Sequence, residues 1–274
     1  MTQIRLLNRS DIPAVMELNR AAGWNQLEAD WLRLLELEPE GCFVLLCDGR
    51  IAATATTVCF GRRLAWIGMV LTHPDFRRRG FGRRVTEEAI EFAEQRSVEW
   101  IKLDATDMGR PLYLQLGFED ETPIERWKMV LPAADAARAS LAPFQFDAAL
   151  DREAFGAERS TLLENLARGE AASIPGEGYI MARPGANAFS VGPCVARSAL
   201  TARTLLEWLF SRHAGEPAFW DLLPANESAV SLAREFGFAP ARRLVRMVRR
   251  GRSAVESFQA NDSLVYAAAG FEYG

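Results

Sequence analysis

Apolar residues along this chain recur with two rhythms, one near 3.6 residues and one of short continuous runs, and the switches between them mark out helices and strands. In "SDIPAVMELNRAAGW", Ile12, Val15, Met16 and Leu18 fall on one helical face behind a serine and an aspartate suited to capping. "LEADWLRLLELE" continues as a second helix. "GCFVLLCDGRIAATATTVCF" predicts two strands around an Asp48-Gly49 turn, a strong short-range hairpin signal. "LAWIGMVLT" is nearly unbroken in its apolar character, the pattern of a strand covered on both faces. Val85, Ala89, Phe92 and Ala93 then return to helical spacing over 82–96. "EWIKLDAT" predicts a strand, "GRPLYLQLGF" a short helix ending at a glycine, and "IERWKMVL" a closing strand.

Beyond an alanine-rich, proline-bounded stretch at 132–143 the order partly repeats: helix, two strands ("GYIMARP" and "AFSVGPCVA"), helix, the strand "AFWDLL", the helix "NESAVSLAREFGF" and the strand "RRLVRMVRR". Laying "LYLQLGF" over "LAREFGF" aligns Leu112 with Leu232, Gly117 with Gly237 and Phe118 with Phe238. Two copies of one α/β unit account for this, with a first domain at 1–131, a linker at 132–143 and a second domain at 144–274. The final "GFEYG" carries no readable pattern.

Composition narrows the chemistry. Among 274 residues the net charge is -4, which argues against a broad nucleic-acid-binding face. Cys42, Cys47, Cys59 and Cys194 form no CxxC pair, and with two histidines in the chain they read as buried free thiols rather than a metal site or disulfide framework. No apolar stretch reaches the ~18 residues of a membrane span and no leader is recognisable, so a cytoplasmic protein is expected.

One stretch breaks this ordinary profile. "HPDFRRRGFGRR", residues 73–84, holds five arginines and two glycines between an apolar strand and an amphipathic helix. Gly80 and Gly82 allow left-handed backbone and close approach, and the opening turn of the helix offers unpaired N–H groups. The arginines add charge-assisted hydrogen bonds for which phosphate is the natural partner. A solvated basic turn is the competing reading from residue types alone.

The spacing Arg77-x-x-Gly80-x-Gly82, within "LTHPDFRRRGFGRRV", resembles the pyrophosphate-binding motif of the GNAT superfamily of N-acetyltransferases. A second element of that family follows as "LDATDMGRPLYLQLGF", and the resemblance covers most of residues 4–130. It implies a mixed α/β fold in which the strand at 66–72 parts from that at 99–104 around acetyl-CoA, the acyl donor, with no metal. It implies pantetheine on the backbone near Leu71 and Thr72, and pyrophosphate on Arg77, Arg78, Arg79, Gly80, Phe81, Gly82, Arg83 and Arg84. Tyr113 holds the position of the family's general acid, placed to protonate the departing thiolate. Thr106 stands where many relatives carry Asn and Gly109 where they carry Ala, which puts that loop's cofactor contacts in question.

The acceptor amine must lose a proton, and Asp104, Glu28 and Asp30 are the candidate carboxylates, with Trp24 and Trp31 as walls of the acceptor site or as core. The second copy has no RxxGxG, and Ala233 stands where Tyr113 does in the first. Asn226 and Ala229 keep residue types suited to a helix cap. The expectation is therefore one acetyl-CoA site, in the first domain, with an N-acetyltransferase reaction on a small-molecule or protein amine. A non-catalytic acetyl-CoA sensor is the alternative. The second domain is expected to take part in acceptor recognition or assembly, and neither nucleic acid nor membrane is expected as a partner.

Overall fold

The structure, a computed structural model, describes residues 1–132, 141–254 and 256–274. Residues 133–140, most of the linker drawn from the sequence, lie outside the described residues. The chain forms two compact units, each a mixed sheet with helices packed on it. Unit 1 comprises Met1–Asp120, Met247–Ser257 and Phe271–Gly274, and unit 2 comprises Glu121–Arg246 and Phe258–Gly270.

In chain order unit 1 begins with β1 (Thr2–Leu6), α1 (Ile12–Ala21), α2 (Glu28–Leu37), β2 (Cys42–Cys47) and β3 (Arg50–Phe60). β4 (Leu64–Thr72), α3 (Phe81–Gln95), β5 (Trp100–Ala105) and α4 (Arg110–Gln115) follow. β1 to β4 are antiparallel neighbours, and β5 joins β4 in parallel. The hairpin between β2 and β3 turns at Asp48 and Gly49, both left-handed with φ of 49° and 79°, which matches the twist of the strands it joins. α1 is capped differently from the reading of "SD". Asp11 holds its N-cap position without a side-chain cap hydrogen bond, and Asn8 instead caps the 3-10 turn Arg9–Asp11 that leads into it, its carboxamide accepting from the Ser10 N–H at 3.0 Å while Asp11 accepts from the Asn8 N–H at 2.9 Å. β1 escapes the sequence patterning because its five residues lie at the sheet edge with no fully buried position.

β6 (Glu119–Val130) carries the chain into unit 2, which continues with β7 (Ala142–Pro143), α5 (Ala148–Phe155), α6 (Ser160–Leu166), β8 (Glu170–Ile174), β9 (Gly178–Arg183) and β10 (Phe189–Ala196). α7 (Ala199–Phe210), β11 (Pro217–Leu222), α8 (Glu227–Glu235), β12 (Ala239–Arg250) and β13 (Val265–Ala267) complete it. β11 lies between antiparallel β6 and parallel β10, and β9, β8 and β7 extend the sheet. Its core is aromatic, with Phe210, Trp220 and Phe238 in mutual edge and tilted contacts.

The units are not the two consecutive halves that the sequence suggests. Strand pairing decides the membership: the end of β12, from Met247, lies beside β5, where the Gly251 N–H bonds the Glu99 carbonyl at 2.7 Å. The unreadable C-terminal residues also belong to unit 1. Tyr273 is fully buried there, and the Trp66 indole N–H donates to the Phe271 carbonyl at 2.9 Å. A fragment of residues 1–131 lacks both pieces and leaves the β5 edge and Trp66 uncovered. Its thermal midpoint by circular dichroism is expected on the order of 10 °C below that of the full chain. Equal midpoints would show that the two C-terminal pieces contribute nothing.

Candidate active site

β4 and β5 run together for only three pairs, Leu64 with Trp100, Ala65 with Ile101 and Trp66 with Lys102, and then part. The cause is visible in β4. Thr54 of β3 opposes Leu71 and Thr56 opposes Gly68, so Met69 and Val70 together face the single residue Ala55. This bulge puts Met69 at φ 50°, and the Thr54 hydroxyl pins it by donating to the Met69 carbonyl at 2.7 Å. One extra residue also exchanges the faces of the strand. Before it, Trp66 and Gly68 share the face that meets the C-terminal residues. After it, Thr72 points the other way, toward α3, where its hydroxyl oxygen would lie 3.1 Å from a Cβ on Gly82. The main-chain groups of Leu71 and Thr72, singled out from the sequence, thus sit on the diverging end. Gly68 within an apolar run was the available signal for the irregularity, since glycine inside a strand marks a bulge or a close approach.

α3 starts directly below this divergence. Arg78 and Gly80 are both left-handed, with φ of 60° and 76°, and Gly80 caps the helix with no side chain in the way. The result is a concave run of N–H groups at a helix N-terminus, a site suited to an anion. The arginines divide into two groups. Arg79 stacks on Phe81 at 4.8 Å and Phe76 at 5.5 Å, Arg83 pairs with Gln115, and Arg84 donates to the Thr2 hydroxyl at 2.9 Å. Arg77 and Arg78 are exposed at the turn itself, as is Arg79.

Tyr113 lies on α4 and is buried, its ring edge-on to Phe118 at 6.0 Å between centroids. Burial pushes its phenol above the ordinary tyrosine range. Gly109 gives the ring its place, because a Cβ there would stand 3.0 Å from Tyr113 Cε2. Thr106 opens α4: its hydroxyl accepts from the Gly109 N–H at 3.2 Å and its carbonyl from the Arg110 N–H at 2.8 Å. Asp104 is half-buried at the end of β5, on the diverging side.

The acceptor-side residues separate by role. Asp30 is buried, accepting from the Leu27 N–H at 2.8 Å and pairing with Arg33 at 2.7 Å, so it caps and braces α2. Trp31 is fully buried and belongs to the core, Trp24 is half-buried, and Glu28 is exposed on the first turn of α2. The four cysteines are free thiols, with Cys42 and Cys59 pushed by burial up to about 12.

Unit 2 repeats the divergence and fills it. β10 and β11 pair in parallel from Phe189 with Ala218 to Val191 with Trp220, and beyond that point β13 enters. β13 pairs antiparallel with Cys194 and Val195 of β10, and the Ala268 N–H reaches the Asp221 carbonyl of β11 at 2.8 Å. The Trp220 indole holds the Tyr266 carbonyl at 2.7 Å, and the Asn226 amide reaches the Val265 and Ser263 carbonyls at 3.0 Å each. Asn226 also caps α8 through the Ala229 N–H at 3.1 Å, as its residue type implied. Among the described residues no strand stands between β4 and β5 in unit 1.

Two matches to known families cover the two units. The acetyltransferase (GNAT) family matches residues 9–118, and an acetyltransferase (GNAT) domain family matches residues 148–266. An uncharacterized N-acetyltransferase, YitH of Bacillus subtilis, is 27% identical over 248 residues, 85% of this chain and 86% of its own length. The ribosomal protein bS18-alanine N-acetyltransferase of Salmonella typhimurium is 30% identical over 131 residues, 44% of this chain and 84% of its own. In fold, a provisional acetyltransferase of Pyrococcus horikoshii superposes with a TM-score of 0.86 at 22% identity, covering 100% of this chain and 96% of its own. A tandem GNAT protein of clavulanic acid biosynthesis superposes at 0.61 with 16% identity, covering 94% and 100%.

Two substitutions test the site's physical chemistry without any ligand. Gly80→Ala has open space around the new methyl but a left-handed backbone, so it should lower stability by about 1 kcal/mol in urea titration. No loss would mean that the turn relaxes freely. Ultraviolet titration of the folded chain against Tyr113→Phe should show no tyrosinate from position 113 at a pH near ~10, where an ordinary phenol is half ionised. A difference of half a tyrosinate would contradict the burial effect.

Proposed function

The chain belongs to the acetyltransferase (GNAT) family, and from that premise we propose that it is an N-acetyltransferase that moves an acetyl group from acetyl-CoA directly to a primary amine, with its single donor site in unit 1. The observation that carries this reading is the parting of β4 from β5 above the turn in which Arg78 and Gly80 are left-handed. A parted parallel pair releases main-chain donors and acceptors toward a linear amide-bearing chain, and the helix end supplies a seat for a pyrophosphate. The residues present fit acetyl-CoA at both ends, which would bring a thioester as the activated acyl group.

The residues divide the work. Arg77, Arg78 and the N–H groups of 79–84 hold the phosphates, and the backbone of Leu71 and Thr72 aligns the pantetheine. Main-chain N–H groups at the bulge polarise the thioester carbonyl. The Tyr113 hydroxyl donates its proton to the departing sulfur, and its raised pKa keeps it protonated until that moment. No side-chain nucleophile is needed for direct transfer. The alanine N-acetyltransferase relative makes an alanine-initiated peptide the first acceptor to assay. Among the described residues no helix is long and apolar enough to cross a membrane, and the reading needs neither a membrane nor a nucleic acid partner.

Gly80→Asp places a carboxylate where phosphate would sit, and isothermal titration should register loss of acetyl-CoA binding in a protein that still melts cooperatively. Tyr113→Phe should keep acetyl-CoA affinity within about twofold and lower turnover by about 10²- to 10⁴-fold. Retained binding in the first variant would remove the assigned seat. Unchanged turnover in the second would remove the acid, and acetyl-CoA binding with no turnover in the native chain would leave a module that senses acetyl-CoA.

A further inference from the structure

Unit 2 carries one sheet face whose charges do not balance. β6 and β11 pair with Asp221 opposite Arg126 and Phe219 opposite Lys128. Residues two apart on a strand share a face, so these four side chains stand together. Trp127 and Trp220 point the other way, into the aromatic core with Phe210 of α7. Arg126 and Asp221 form a fork, Nε to Oδ1 at 2.7 Å and Nη2 to Oδ2 at 2.6 Å, and both side chains are largely buried. The Arg126 guanidinium also lies over the Phe219 ring at 4.9 Å.

β12 runs beside β6 and brings Arg242 up to this pair. The Arg242 guanidinium has no hydrogen bond or ion pair among the described residues, and neither has the Lys128 ammonium. Residue 242 is exposed, yet packing beside the fork costs its guanidinium hydration. That burial, and then the like charge of Arg126, hold it below the ordinary arginine range. Asp221 offsets only part of this, because both its oxygens already serve Arg126. The fork is neutral as a pair, so Arg242 and Lys128 leave two positive charges uncompensated on one face of a chain whose net charge is -4. Phe219 is half-buried, and Val130, on the same side of β6 as Lys128, is 64% exposed, so apolar surface adjoins the charges.

A desolvated cation beside a like charge is unfavourable, and a dianion laid against Arg242 and Lys128 removes that cost. A guanidinium offers planar paired donors that match carboxylate and phosphate oxygens, and an ammonium adds a point charge. We propose that this face of unit 2 binds a small dianionic oxyanion, a phosphate monoester or a dicarboxylate, through Arg242 and Lys128. Arg126, held in place by Asp221, is the positive floor, and Phe219 and Val130 meet the body of the ligand. The site uses no residue of the donor seat in unit 1 and stands whether or not acetyl-CoA binds.

The test follows the thermal midpoint of the full chain by circular dichroism in chloride, phosphate and succinate at one pH and one ionic strength. The native chain should gain on the order of 3 °C in phosphate or succinate over chloride. Arg242→Ala should lose more than half of that gain, while its midpoint in chloride stays at or above native. Arg242→Lys, which keeps the charge without the fork, should retain part of the gain, and Gly80→Asp, altered only in unit 1, should still show one. A gain with phosphate alone identifies the phosphate monoester, and a gain with succinate alone the dicarboxylate. Equal gains in the native chain and Arg242→Ala would overturn the proposal. A gain lost in Gly80→Asp and kept in Arg242→Ala would also overturn it, by placing the anion at the helix end of unit 1. A lower chloride midpoint in Arg242→Ala would do the same, since Arg242 would then stabilise the fold by itself.

Discussion

Everything chemical in this fold depends on a parallel strand pair that cannot stay paired. Parallel β4 and β5 share hydrogen bonds for three residues before the bulge at Met69 swings the remainder of β4 away. Each N–H and C=O so released must find another partner or pay a desolvation cost. The bulge does more than open a gap. By exchanging the faces of the strand it sends Thr72 toward α3 and leaves Gly68 facing the C-terminal residues, so one backbone irregularity orients both sides of the site.

The two units give different answers to the same demand. In unit 2 the parted β10 and β11 are satisfied by the chain itself, through β13 and the Ala268 N–H, with Trp220 and Asn226 holding the inserted segment. A main-chain segment there takes up the hydrogen bonds of the parted strands. That filling, together with the lack of an arginine-glycine turn and of a tyrosine at 233, is the physical ground for proposing a single donor site, in unit 1. Unit 1 keeps the turn, the phenol and the divergence together.

Much of this was legible in the residues. The Asp48-Gly49 turn, the helix over 82–96 and the RxxGxG element announce themselves through local rules, because φ preferences and apolar periodicity act within a few residues. The internal repeat exposed the degenerate second copy through its missing RxxGxG element and Ala233. What stayed hidden was set by distant partners. "GFEYG" has no pattern of its own, and Tyr273 becomes buried only through Asp30 and Arg33, some 240 residues earlier. β13 is three residues long and owes its existence to β10. The partners of Arg79, Arg83 and Arg84 could not be read either, since they depend on where Phe76, Gln115 and Thr2 arrive in space. Gly68 alone, among the missed features, left a mark in the sequence, a glycine inside an apolar strand.

The central claim is that the divergence in unit 1, and not its counterpart in unit 2, receives the acyl donor. Amide hydrogen exchange with and without acetyl-CoA tests it most directly, because the released main-chain groups are themselves the proposed contacts. The account predicts slowed exchange at 69–72, 79–84 and 104–106, with 192–196 and 218–222 unchanged. Protection at 192–196 and none at 79–84 would contradict it.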